Sequence, residues 1–268
     1  MNLELKIMLL ITRLLPRIRG AGVLANMVKN IYNRRLRSFV RANVLDFSMN
    51  LDPSECVDGS LLFYPHLYDW EEVEFIRNNL GTSGVFVDAG ANIGFYSLVA
   101  SQVIACGGQI IAIEPDDYNR ARLIENLELN SVKCAKVVST GLSDKIERIG
   151  MYINAAGNRG GNTFIPQKAA VLSEMEIECL TLYETLTRAG LTKVDFLKID
   201  IEGFEYKVLM KFYCEAPPSL WPRFVIVEIN KDYALAGSGS IGHLLEENGY
   251  HKVLSSELNS IFAMTEVN

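Results

Sequence analysis

No cysteine pair in this chain is spaced for a metal or a disulfide framework, and the apolar stretch near its N-terminus is too short to cross a membrane. The five cysteines (Cys56, Cys106, Cys134, Cys179, Cys214) are odd in number, scattered, and include no C-x-x-C pair. A zinc cluster is therefore not expected, and a reducing, cytoplasmic compartment is the default. The stretch Ile7 to Leu15 is interrupted by Arg13 and closed by Pro16, whereas a spanning helix needs ~20 apolar residues. Its uninterrupted part, Ile7 to Ile11, also falls below the ~7–15 residues of a signal-peptide core. Histidine is scarce: His243 falls in a helix pattern and His251 on a closing strand, which leaves His66, ahead of Trp70-Glu71, as the histidine to consider as a base.

What is present can bury a large core. The 268 residues are 49% hydrophobic and 22% charged, which excludes a disordered chain and suits one large domain plus an extension. The formal net charge of −6 hides an asymmetry. Residues 1–45 carry nine basic side chains (Lys6, Arg13, Arg17, Arg19, Lys29, Arg34, Arg35, Arg37, Arg41) against Glu4, so they hold +8 and the remainder −14. Such a segment can rest on the acidic body of its own protein, on a second subunit in a homodimer, on an anionic membrane surface, or on nucleic acid, the last being least expected. Residues 1–60 read as a basic, helical extension and residues 61–268 as the main domain.

From Val85 onward short β-branched runs alternate with helical stretches, the pattern of βαβ units in a mostly parallel sheet. Strands are expected at Val85–Asp88, Gln109–Glu114, Ala135–Ser139, Asp195–Ile199 and Phe224–Ile229. Helices fall between them, and a β excursion covers Arg148–Ile153 and Glu176–Leu180. The closing strands His251–Leu254 and Ser260–Met264 are joined by too few residues for a parallel crossover and must be antiparallel. The expectation is an α/β, Rossmann-like, mostly parallel seven-stranded sheet ending in a C-terminal hairpin.

The strongest local signal is Val85-Phe-Val-Asp-Ala-Gly-Ala-Asn-Ile-Gly. Asp88 ends a strand, Gly90 permits a sharp turn, and Gly94 allows close approach to the following helix. The dinucleotide fingerprint G-x-G-x-x-G fails, because Asn92 and Phe95 stand where its second and third glycines belong. A carboxylate beside the turn repels a pyrophosphate and attracts the ammonium of an amino-acid-like cofactor, which favours S-adenosylmethionine. Glu114, at the end of the second strand, can accept both hydroxyls of a ribose. Asp144 follows Gly141-Leu-Ser at the end of the third strand region, within reach of an adenine. Phe196-Leu-Lys-Ile-Asp-Ile-Glu-Gly-Phe-Glu delivers Asp200 to the sheet edge where ligands bind in open α/β folds, with Glu202 at the entry to a helix.

Asp88-Ala-Gly-Ala-Asn-Ile-Gly, Ile113-Glu-Pro and Leu197-Lys-Ile-Asp-Ile-Glu-Gly-Phe-Glu resemble, in order and separation, the signature blocks of the FkbM-type methyltransferases, over roughly residues 70–265. The resemblance implies a class I methyltransferase fold and methyl transfer from S-adenosylmethionine to a hydroxyl, commonly on a sugar, glycan or glycosylated secondary metabolite. It implies that Asp88, Gly90, Asn92 and Gly94 surround the methionine end, Glu114 the ribose, and Ser143 with Asp144 the adenine. Glu71 would supply a further acid near the cofactor.

An alcohol is a poor nucleophile while protonated, so a base or a divalent cation is needed. Asp200 is the first candidate base, with Glu202 and His66 beside it. In a metal variant, Asp200, Glu228 and Asn230 would hold Mg²⁺ through oxygen. Asn158, Arg159, Asn162 and Thr163, in a Gly/Asn-rich loop, have hydrogen-bonding groups suited to a polyol. Alternatives are N-methylation of a small molecule or nucleobase and a nicotinamide-dependent oxidoreductase. The Asp/Asn-Pro-Pro-aromatic turn common among the former is replaced here by Asp200-Ile-Glu-Gly.

Overall fold

The computed structural model describes residues 3–16, 23, 26–27, 29–30, 39–105, 107–154, 164, 171–228, 240–256 and 258–265. In chain order, helix α1 (Leu3–Arg13) precedes a hairpin of β1 (Val40–Val44) and β2 (Phe47–Leu51), then α2 (Cys56–Phe63) and α3 (Trp70–Asn79). The alternating part runs β3 (Val85–Ala89), α4 (Phe95–Val103), β4 (Gln109–Ile113), α5 (Asp117–Leu129), β5 (Ala135–Val138). A three-stranded insertion follows, of β6 (Gly141–Leu142), β7 (Glu147–Asn154) and β8 (Val171–Leu180). The chain then forms α6 (Leu182–Ala189), β9 (Phe196–Ile199), α7 (Glu205–Glu215), β10 (Phe224–Glu228), α8 (Ile241–Glu247), β11 (Tyr250–Ser255) and β12 (Asn259–Met264).

The main sheet has seven strands in the order β11-β12-β10-β9-β3-β4-β5. All pairs from β10 to β5 are parallel, and β12 runs antiparallel to both β10 and β11. The expected sheet and its closing hairpin are therefore present. The chain winds outward in opposite directions from β3 and β9, so the crevice beyond their C-terminal ends is the topological switch point, where open α/β sheets bind ligands.

Strand alternation explains how the sheet is covered on both faces. Phe86, Ile110, Phe196, Phe224 and Ile226 enter one core with α1 to α5, while Val87, Ile111, Leu197, Ile199 and Val225 enter the other with α6 to α8. The same alternation puts Asp88 and Lys198, cross-strand partners on β3 and β9, on the first face together.

Residues 40–51 form a hairpin where the sequence suggested helix. Asn126 on α5 and Asn130, the C-cap one turn later, clasp it. Asn126 Oδ1 accepts from the Asn50 amide at 2.8 Å, and Asn130 accepts from the Ser48 amide at 2.9 Å while donating to the Ser48 carbonyl at 2.7 Å. A buried ion pair between Arg122 and Asp58 ties α5 to α2. Among the described residues, no helix is long and apolar enough to cross a membrane.

Candidate active site

A single cavity of about 1190 Å³ runs along the C-terminal ends of the sheet strands. Thr140, Gly141 and Leu142 line one end, Glu114, Asn92 and Gly90 its middle, and Asp69, Lys198, Asp200 and Glu228 the far side of the switch point. Beyond them it continues under the N-terminal segment, past Tyr68 and Tyr64 to Ser60 and Lys29.

The β3–α4 turn is built by backbone geometry. Gly90 (φ +79°) and Gly94 (φ +90°) both take the left-handed conformation, as does Asn92 (φ +50°). A Cβ on Gly90 would lie 1.9 Å from the Asp200 carbonyl oxygen, so two strand ends meet at a distance only glycine permits. A Cβ on Gly94 would strike Leu123 of α5 at 2.5 Å.

Glu114 is held from two sides: its Oε2 accepts from the Asn92 amide at 2.8 Å and its Oε1 from the Asp116 amide at 2.9 Å. Burial pushes its carboxyl up to about 7, against the pull of these two bonds. The carboxylate is thus fixed in orientation at the cavity wall, with lone pairs left for hydroxyl donors.

Lys198 is the electrostatic hub. Its Nζ lies 2.9 Å from Asp200 Oδ2 and 5.1 Å from the Tyr96 ring centre. Burial lowers the ammonium's proton affinity, but Asp200 and Asp88 more than offset this, so the group stays charged. Asp69 faces the same cluster: its Oδ2 accepts from the Tyr96 hydroxyl at 2.8 Å, and burial with nearby Glu72 raises its carboxyl to about 6. Glu228 closes the group from the end of β10; burial and the neighbouring Asp200 carboxylate raise its proton affinity, to about 7.

Of the residues singled out in the sequence, the structure gathers Glu71, Gly90, Asn92, Glu114, Asp200, Glu202 and Glu228 at this cavity. Asp88 lies behind the wall, buried, with Oδ2 taking a bond from Ser97 Oγ at 2.7 Å and Oδ1 unpaired. Ser143 and Asp144 do not line the cavity: Ser143 Oγ donates to Glu147 Oε1 at 2.7 Å and accepts from Lys207 Nζ at 3.1 Å, and Asp144 pairs with Lys207 at 3.3 Å. His66 is likewise elsewhere, its Nε2 2.7 Å from the Leu15 carbonyl. That bond fastens the chain just after α1. Asn158, Arg159, Asn162, Thr163 and Asn230 lie outside the described residues.

Of the Mg²⁺ ligands expected from the sequence, Asp200 is ion-paired to the Lys198 ammonium at 2.9 Å and Asn230 lies outside the described residues. Among the described residues, no group of three or more His, Cys, Asp or Glu side chains converges as metal ligands would.

Sequence reasoning passed over Asp69, Tyr96, Thr140 and Lys198. Lys198 was legible in principle, because a lysine in the middle of a buried strand, two residues before a carboxylate, must find a counter-charge on its own face. Asp69 sits at the start of α3, where it reads as an ordinary helix cap, yet its side chain makes no cap bond. Thr140, whose buried Oγ1 has no partner, gives no sequence signal at all.

Comparison with known proteins agrees with this architecture. The METTL16 methyltransferase domain superposes with a TM-score of 0.50 at 15% identity, covering 92% of this chain and 81% of that one, a likeness of fold. Human methyltransferase 10 domain containing protein gives 0.49 at 14% identity, over 91% and 97% of the two chains. In sequence, the methyltransferase sdnD of Sordaria araneosa is 28% identical over 179 residues, which is 55% of this chain and 65% of that protein. The family model for the methyltransferase FkbM domain matches residues 88–251, and the chain belongs to that family of class I methyltransferase folds.

Proposed function

We propose that the protein transfers a methyl group from S-adenosylmethionine to a hydroxyl oxygen of a small molecule, with a sugar or glycosylated metabolite as the acceptor class. The observation that carries this reading is the charge of the cavity. Asp69, Asp200 and Glu228 line it beside the switch point with Asp88 behind the wall, and the ammonium among them, Lys198, is engaged by Asp200. A dinucleotide would bring a pyrophosphate to these carboxylates; a cofactor with an ammonium and a sulfonium is attracted by them.

The residues fit that cofactor. Glu114 would accept the ribose hydroxyls, the left-handed turn at Gly90 and Asn92 would pass beside the methionine end, and the unpaired Thr140 Oγ1 stands at the end left for adenine. When bound, S-adenosylmethionine supplies an electrophilic methyl group on a positively charged sulfur. The protein's part is to hold the acceptor oxygen in line with it and to take the hydroxyl proton. Asp200 and Glu228 stand side by side at the ends of paired strands β9 and β10. Lys198 Nζ holds Asp200 Oδ2 at 2.9 Å, which fixes this carboxyl beside Glu228, so the hydroxyl proton of the acceptor passes to the pair as the methyl group is transferred.

Calorimetric titration with S-adenosylmethionine and with NADH tests the proposal, alongside Asp88→Ala and Glu114→Ala variants. Binding of S-adenosylmethionine alone, weakened in Glu114→Ala, is expected; preference for NADH would sink it. A mass gain of one methyl group on a glycoside, stable to mild acid and base, would identify an ether product.

A further inference from the structure

The far end of the cavity, under the N-terminal segment, carries a charge the methyl-transfer reading does not use. Lys29 is 5% exposed and lines this end. Its polar neighbours among the described residues are neutral: Ser60 Oγ at 3.3 Å, the Cys56 carbonyl at 3.5 Å and Cys56 Sγ at 3.9 Å, with the Tyr64 ring centre 6.0 Å away. An ammonium has three donors, and these contacts are long for its bonds. Every other buried cation described here has a carboxylate: Lys198 has Asp200 and Arg122 has Asp58. A buried charge without a counter-ion is costly, and an anionic ligand would remove that cost.

We propose that Lys29 anchors a carboxylate on the methyl acceptor, so that the molecule methylated is a hydroxylated compound with an apolar body and one acid group. This rests on the methyl-transfer reading for the identity of the other end. The surroundings choose the class. Val57, Leu67, Tyr64 and Tyr68 line the intervening space and suit an apolar body. Ser60 Oγ donates to the Cys56 carbonyl at 3.0 Å and meets the Tyr64 hydroxyl at 2.9 Å; one ammonium with the Tyr64 hydroxyl beside it matches a single carboxylate, whereas a phosphate dianion calls for more donors or an arginine fork. Tyr68, next in the chain to Asp69, lines the same cavity as Asp200 and Lys29. The carboxylates around Asp200 repel an acid group and Lys29 attracts it, so an acceptor entering acid-end first is turned with its hydroxyl toward Asp200 and Glu228.

The test is calorimetric titration of the full chain with benzoate, benzamide and phenyl phosphate, with and without S-adenosylhomocysteine. Benzoate is expected to bind about tenfold more tightly than benzamide. Lys29→Met should abolish the difference and Lys29→Arg should keep it. Lys29→Met should melt at or above the wild-type temperature, because it removes an uncompensated charge; Ser60→Ala, with a smaller change in the wall, should weaken benzoate by about threefold. Equal binding of benzoate and benzamide, no benzoate binding, benzoate binding unchanged in Lys29→Met, or phenyl phosphate binding tighter than benzoate would each overturn the assignment. The two readings fail separately: loss of S-adenosylhomocysteine binding with the benzoate preference intact removes the methyl donor and leaves the anion site standing. The converse removes Lys29 alone.

Discussion

Lys198 and Asp200 lie two residues apart on one face of β9 and are joined by a 2.9 Å ion pair at the floor of the cavity. Asp88 faces the same ammonium from the neighbouring strand. Lys198→Met keeps the volume of the stem but leaves Asp88 buried without a counter-charge and Asp200 without its ion-pair partner. The expected cost is about 3 kcal/mol in urea denaturation, the lower edge of what removing one partner of a buried pair costs, because Asp200 is partly exposed. A loss below about 0.5 kcal/mol would show that the cluster is held by solvent, as exposed pairs are.

Asp200→Asn and Glu228→Gln separate the two members of the carboxyl pair. If the proton of the acceptor passes to the pair, either change should lower kcat by about 10²–10³, in the range of a lost general base, well beyond the weaker S-adenosylmethionine binding that removing one cavity carboxylate brings. Rates measured under saturating acceptor check this. An unaltered kcat in both variants would mean that the hydroxyl proton leaves by another route.

The parts of this fold written in local sequence were the easiest to foresee. The β3 run Val-Phe-Val-Asp, its glycine turn, and the closing strands all follow from periodicity and turn chemistry. Glu114 and Asp200 were legible because strand ends in such sheets point at the crevice. The clasp between α5 and the β1–β2 hairpin was not, since Asn126 and Asn130 look like any polar residues on a helix, and their partners are 76 and 82 residues away. Ser143, a motif position near the third strand end, bonds instead to Glu147 and Lys207, neither of which the motif contains.

The raised carboxyls give a pH dependence of defined sign. Glu114 folds into a site that lifts it from the ordinary carboxyl range to about 7, so between those values the folded form holds more protons than the unfolded one, and stability falls as pH rises. Above about 7 the loss is complete. Glu114→Gln removes this contribution, so its melting temperature relative to wild type should increase from pH 5 to pH 7.5. A cofactor that needs the ionised carboxylate reverses the trend for binding: S-adenosylmethionine affinity should increase across pH 6 to 8, as Glu114 and Asp69 ionise. A flat difference in melting temperature would show that Glu114 is not buried in the free protein.

Asn126 is buried and spends both ends of its amide, accepting from Asn50 and donating to the Ile93 carbonyl at 2.9 Å. Asn126→Ala leaves one amide and one carbonyl without partners, which should cost about 2–4 kcal/mol. Amide exchange at Asn50 should accelerate more than exchange in β4, because the hairpin is released before the sheet. Uniform acceleration would make the hairpin part of the same cooperative unit as the sheet.

Two glycines with the same backbone angle separate conformational strain from contact. Gly90 and Gly190 both have φ +79°, but a Cβ at Gly190, which ends α6, meets nothing within 4 Å, whereas at Gly90 it runs into the Asp200 carbonyl. Gly190→Ala should therefore cost only the left-handed penalty, about 1 kcal/mol. Gly90→Ala carries that penalty plus a backbone clash that no side-chain rotation relieves, so about 3 kcal/mol or more is expected. The clash also pushes β3 and β9 apart where Asp200 meets Lys198. S-adenosylmethionine binding should then fall in Gly90→Ala and stay at the wild-type level in Gly190→Ala, read by calorimetry on both variants. Equal losses of stability would mean that the strand ends separate freely, and the close approach at the switch point would then not be what shapes the site.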